Sequence, residues 1–129
     1  MIVVDSSVWI SLLRDQDTPQ VSTLLNMRSR SEILVPDLVL LELLQGSAND
    51  RHAARIERQL DLFEQVAISS LSLAPIAAGH YRHLRARGIT IRKTVDLIIA
   101  TYCIANRHHL LHQDRDFEPF VAHCGLLQA

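Results

Sequence analysis

Short apolar runs alternate with stretches of helical periodicity along the chain, and few folds can accommodate that alternation. Ile2-Val3-Val4 is β-branched and leads into Asp5-Ser6-Ser7, the pattern of a buried strand followed by a helix start at Ser6 or Ser7. Val8, Ile10, Leu12 and Leu13 extend a first helix, and Val21, Leu24, Leu25 and Arg28 suggest a second after the break at Pro19. Ile33-Leu34-Val35 reads as the next strand, stopped by Pro36. Asp37 is expected to cap a helix through Leu44, with Gly46 near its C-terminus. Asn49 or Asp50 would cap an amphipathic helix to about Phe63 that carries Arg51, Arg55 and Arg58 outward. Further along, a strand is expected over 65–69, a helix over 73–87 ended by Gly88, and the most apolar helix from Thr94 to about Arg107. A strand over 109–112, a short helix over 117–123 and a fifth strand over 125–127 complete the pattern.

Parallel strands need crossover connections, and here the connections are helices. The expected fold is therefore α/β, a three-layer α/β/α sandwich around a central parallel sheet of four to five short strands. At 129 residues, 48% apolar and 21% charged, the composition is that of an ordinary globular protein with one core, and residues 1–129 read as a single domain. In such sheets ligands bind beyond the carboxyl ends of the strands. That rule selects which acidic side chains matter.

Asp5 directly follows the first strand, so its carboxylate is expected at that edge, although an aspartate there also suits a helix cap. Asp114 repeats the arrangement after His109-Leu110-Leu111-His112, with Asp116 two residues on, where it could equally cap the helix that follows. Glu42 interrupts Leu38-Val39-Leu40-Leu41 and Leu43-Leu44, a helix apolar on nearly all sides. A carboxylate buried there needs a partner such as a cation, unless it shares a narrow solvent stripe with Gln45. Asp96 begins Val95-Asp96-Leu97-Ile98-Ile99-Ala100, where the helix dipole alone would favour an acid. A convergent set of oxygen-only ligands selects a hard cation, Mg²⁺ or Mn²⁺. Such a centre activates water and neutralises a phosphodiester during in-line displacement.

With these residues in view, the chain resembles the PIN-domain family, and in particular the VapC ribonuclease toxins of toxin–antitoxin pairs. The carriers are Ile2-Val3-Val4-Asp5-Ser6-Ser7-Val8-Trp9, Leu41-Glu42-Leu43-Leu44-Gln45-Gly46, Thr94-Val95-Asp96-Leu97-Ile98-Ile99-Ala100 and Asp114-Arg115-Asp116-Phe117, in that order. The resemblance implies metal ligands at Asp5, Glu42, Asp96 and Asp114, with Asp116 as an accessory acid. It also implies Mg²⁺-dependent hydrolysis of RNA, a homodimer, and neutralisation by a small VapB-like antitoxin whose tail enters the acidic groove. Ser6 or Ser7 is expected to hydrogen-bond in the site, as small hydroxyl residues do there in the family. The reaction expected is water attack on a phosphodiester that leaves a 5′-phosphate.

The net charge of −1 provides no global attraction to a polyanion, so substrate contact would rest on local basic groups. Of the 13 basic residues only Lys93 is a lysine, and Arg14, Arg92, Lys93 and Arg115 neighbour the acids in sequence; Arg92, Lys93 and Arg115, with Ser6, are the candidates for RNA contact. His108, His109 and His112 have a metal-like spacing, but no helix would hold them on one face, and packing or exposed histidines account for them. Trp9, Phe63, Tyr81 and Tyr102 fall at apolar helical positions and suit a core or a dimer interface better than base stacking.

Two cysteines, Cys103 and Cys124, form no disulfide framework or zinc pattern. The start of the chain lacks a signal-peptide pattern, and 97–105 is far shorter than the roughly 20 residues that span a bilayer, so a soluble cytoplasmic protein is expected. Two other readings use the same acids: a non-enzymatic, Mg²⁺-binding receiver-like signalling domain, and a catalytically inactive PIN binding module. A receiver would need an acidic pair after the first strand and a lysine at a late strand end.

Overall fold

A computed structural model describes residues 1–27 and 29–129; the expectation that Arg28 belongs to the second helix lies outside the described residues. The chain runs β1 (Ile2–Val4), α1 (Ser6–Leu13), α2 (Pro19–Leu25), β2 (Ile33–Pro36), α3 (Asp37–Gln45), α4 (Asp50–Leu60) and β3 (Glu64–Val66). It continues through α5 (Leu73–Ala86), α6 (Thr94–Asn106), β4 (His109–Leu111), α7 (Glu118–His123) and β5 (Leu127–Gln128). The five strands form one sheet in the order β3-β2-β1-β4-β5, and every pairing is parallel. Among the helices, α1 packs on α2 and α3 and α3 on α4, while α5 packs on α6, so two helical groups flank the sheet as the expected α/β/α sandwich.

The three central strands are short and mostly buried, because a parallel sheet covered on both faces has no solvent side, whereas the edge strands β3 and β5 are largely exposed. Val3, Val4, Val35, Leu110 and Leu111 are at most 1% exposed, and Phe117 and Phe120 close the core beneath the last helix. Truncating one of these large side chains, Leu110→Ala for example, removes about 2–5 kcal/mol through lost transfer energy and the cavity left behind. Trp9 is also core: its indole N–H donates to the Val4 carbonyl at 3.1 Å and its ring packs against Phe63 at 5.2 Å between centroids.

Several boundaries differ from the sequence reading. Pro19 is the first residue of α2 rather than a break before it, with Thr18 capping through a bond from the Val21 N–H, as suits a proline whose nitrogen has no proton to place. Pro36 is the last residue of β2. Asp37 does not cap α3 as an N-cap residue; it lies inside the helix, and its Oδ1 accepts from the Leu38 and Ile68 N–H groups, the second tying down the chain after β3. The third strand spans Glu64–Val66, earlier than the 65–69 expected, because its pairing with β2 sets its register. The C-terminus of α5 lies where expected, followed by Gly88 at φ +80°, a conformation that glycine adopts without strain.

The strand order determines where a ligand can sit. From β1 the chain moves outward to β2 and β3, and then returns to the other side of β1 for β4 and β5. The order therefore reverses between β1 and β4, and the connections leaving these two strands diverge and open a crevice at the carboxyl edge. Val4 pairs with Leu111, so Asp5 and the segment 112–114 emerge side by side there, joined by a bond from the Asp5 N–H to the Leu111 carbonyl at 2.9 Å.

Candidate metal centre

Asp5 is the N-cap of α1 and is only 3% exposed. Asp5 is a helix cap and also stands at the carboxyl edge: Oδ2 accepts from the Ser7 N–H at 3.1 Å and the Ser7 hydroxyl at 2.6 Å, while among the described residues buried Oδ1 has no partner. Burial pushes the Asp5 pKa above the usual carboxylate value, against the lowering effect of the Ser7 and Ser6 hydrogen bonds, and the charge of Asp114 adds to the rise.

Asp96 lies in the first turn of α6 and is 4% exposed, with Oδ2 likewise buried and unpartnered. Burial first, and then the negative charge of Asp5, raise its pKa to about 7; Lys93 opposes them. Glu42, half-buried on α3, is also raised by burial and by the Asp5 charge, and it accepts a bond from the Ser6 hydroxyl at 3.3 Å. The expectation that α3 is buried on most sides needs correction: only Val39 and Leu43 are fully buried, and Leu41 is 54% exposed. Glu42 nevertheless faces the site rather than a solvent stripe, since its partner is on α1.

Asp114 stands after β4 and caps a single 3₁₀ turn, Arg115–Phe117, by accepting from the Asp116 N–H at 2.9 Å. The cap is thus Asp114 and not Asp116. This turn carries the exposed Asp116 carboxylate back toward the crevice, so that oxygens of Asp96, Asp114 and Asp116 lie within 4.8 Å of one another. Lys93 Nζ approaches Asp114 Oδ2 at 3.5 Å, and the charges of Asp96 and Asp114 raise the Lys93 pKa.

The structure therefore gathers the five acids from four segments: the start of α1, α3, the first turn of α6 and the 3₁₀ turn after β4. Ser6 and Ser7, alternatives in sequence, have distinct partners: Ser7 holds Asp5 and Ser6 holds Glu42. A cavity of about 330 Å³ opens beside Asp96 and Asp116 and is walled by Arg92, Lys93 and Arg115 among others. Arg14 follows the far end of α1, the end opposite Asp5. The histidines do not converge: His108 packs on Tyr102, and His112 contacts Gln128 Oε1 at 2.8 Å and the Phe117 ring. Sequence reasoning missed Gln113, whose side chain bonds to Ser7, Ser11 and Thr18; adjacency to Asp114 was its one visible signal.

Among the described residues two buried carboxylate oxygens lack a partner, and acids from two further segments stand beside them with only partial compensation from Lys93, an oxygen-rich set of the kind that suits a metal cation. An α/β domain with a carboxylate centre at its topological switch point is the class that this fold and site define. The PIN domain model matches residues 2–120, and the chain belongs to the PIN-domain family. The chain is 28% identical over 132 aligned positions to ribonuclease VapC11 of Mycobacterium tuberculosis, covering 100% of this chain and 97% of that protein. Its fold is similar to VapBC2 from Rickettsia felis bound to a promoter DNA fragment, with a TM-score of 0.79, 18% identity and coverage of 100% and 98% of the two chains. It is also similar to VapBC-1 from nontypeable Haemophilus influenzae, with a TM-score of 0.77, 17% identity and coverage of 100% and 97%.

Proposed function

We propose that residues 1–129 act as a single PIN domain that is a Mg²⁺-dependent endoribonuclease, the toxin of a VapBC-type pair. The observation that carries the metal-dependent reading is the pair of buried, partnerless oxygens, Asp5 Oδ1 and Asp96 Oδ2, in one acidic crevice. Asp5, Glu42, Asp96 and Asp114 would hold the cation, Mg²⁺ in the cell and Mn²⁺ as a substitute, with Asp116 as an accessory acid. When bound, the cation supplies activation of water and neutralisation of the phosphodiester charge. The chain's own groups do the rest. Ser7 orients Asp5, Ser6 orients Glu42, and Arg92, Lys93 and Arg115 on the cavity wall suit RNA phosphates through charge-assisted hydrogen bonds.

The toxin assignment follows the VapC and VapBC names of the similar proteins, and with it come a small VapB-like antitoxin, a homodimer and the cytoplasm as the place of action. Among the described residues no helix is long and apolar enough to cross a membrane. A receiver-like reading gains no support: Lys93 is the residue before α6 and not at a strand end, and α1 follows Asp5 with serines rather than a second acid. Incubation of the purified protein with cellular RNA, with and without Mg²⁺, beside Asp5→Asn and Asp96→Asn tests the proposal. Cleavage only by the unaltered protein with metal is expected; equal cleavage by all three proteins overturns it.

A further inference from the structure

Gln113 bridges the exit of β4 and helix α1, the two elements that carry the strand-end acids. Its backbone N–H donates to Ser7 Oγ at 3.2 Å, and the same hydroxyl donates to Asp5 Oδ2 at 2.6 Å, so one continuous chain of bonds runs from Asp5 to the residue next to Asp114. Its side-chain amide adds a second set of ties. Nε2 donates to Ser11 Oγ at 2.8 Å and to the Ser7 carbonyl at 3.4 Å, and Oε1 accepts from the Thr18 hydroxyl. Both amide protons and the carbonyl are thereby used, on three different turns of the α1–α2 segment. Ser11 is 4% exposed and its bond to Gln113 is part-buried, so leaving the Ser11 hydroxyl unpaired would be costly.

We propose that Gln113 is a positioning residue for the metal centre: it clamps the exit of β4 to α1 and to the cap of α2, and so sets the distance between Asp114 and Asp5. The inference rests on the metal-binding reading above. Without the side-chain ties the exit of β4 would keep its pairing with β1, the Asp5 N–H to Leu111 carbonyl bond and the Gln113 N–H to Ser7 bond. Beyond them, the Asp114 carboxylate would be held by the 3₁₀ turn it caps and by exposed Lys93. Groups that orient metal ligands commonly contribute about ten- to hundredfold to affinity.

The test is Mn²⁺ titration of the full chain, followed by the EPR signal of the free ion, with thermal melts of each metal-free variant alongside. Gln113→Ala is expected to weaken Mn²⁺ binding at least about tenfold. Ser11→Ala, which removes one tie, should weaken it less. Thr18→Val should weaken it while Thr18→Ser, which retains the hydroxyl, restores it. A purely structural role predicts lowered melting with unchanged Mn²⁺ affinity in the folded variants, and that result overturns the inference while leaving metal binding intact. If Gln113→Ala does not fold, Ser11→Ala and the Thr18 pair decide the same question. No binding by the unaltered protein, or binding indifferent to Asp96→Asn, overturns the metal reading and this inference together.

Discussion

The acidic crevice has two unlike walls. Asp5 and Asp96 form a buried wall, each nearly excluded from solvent and each with an oxygen that has no partner. Asp114 and Asp116 form an open wall, one partly exposed and one exposed, linked by the bond from the Asp116 N–H to the Asp114 carboxylate and neutralised in part by Lys93. The difference is electrostatic. On the buried wall the folded protein pays for holding charge in low dielectric, and a cation that relieves this penalty binds all the more tightly; on the open wall water already screens the charge.

The largest expected contrast is in catalysis. Asp96→Asn and Asp5→Asn should lower RNA cleavage by at least about a thousandfold, roughly 4 kcal/mol of transition-state stabilisation, whereas Asp116→Asn should cost about tenfold. Rates at saturating Mg²⁺ check this, and equal losses on both walls would erase the distinction. A smaller effect of opposite sign concerns stability. Asp96→Asn should stabilise the metal-free protein at pH 8 by on the order of 2 kcal/mol, seen as a raised melting temperature, because it removes a buried charge. Asp116→Asn should leave it unchanged in the same melts.

The same group governs a pH dependence. Asp96 titrates near 7 in the folded protein against an ordinary 3.8, so the folded state holds this proton more tightly than the unfolded chain. Its contribution to metal-free stability is fully present below about pH 4 and is lost as pH rises toward about 7. Melting temperatures should therefore fall between pH 5 and pH 8, and the fall should shrink in Asp96→Asn. Saturating Mg²⁺ should oppose it, since the cation competes with the proton. The smallest effect is expected at Lys93: Lys93→Ala should change stability by less than about 1 kcal/mol, and added salt should abolish the difference, as for an exposed pair. A salt-resistant change would move Lys93 to the buried wall.

Much of this molecule was legible along the chain. The segments 2–4 and 109–112 read as strands because buried parallel strands are short and largely apolar, and Asp5 and Asp114 followed as strand-end acids. The dual character of Asp5, cap and ligand candidate, was also visible. Less was legible where a residue's environment depends on distant neighbours. The apolar sequence of α3 suggested burial on most faces, yet Leu41 is exposed, because its coverage depends on where α1 and α4 lie. Asp37 and Asp116 both read as caps, and neither is one; local rules admit several acceptors for the same N–H groups, and packing chooses among them.

By itself, then, the sequence determined the alternation of strands and helices, the class of fold and the acids at the carboxyl edge, because helical period, strand period and turn chemistry act over a few residues. Tertiary structure alone decided that β1 and β4 are neighbours, that Ser6 serves Glu42 across 36 positions and that Gln113 reaches Ser7 across 106. Such contacts follow from strand order, which emerges only when the whole core is packed, and no local pattern encodes it.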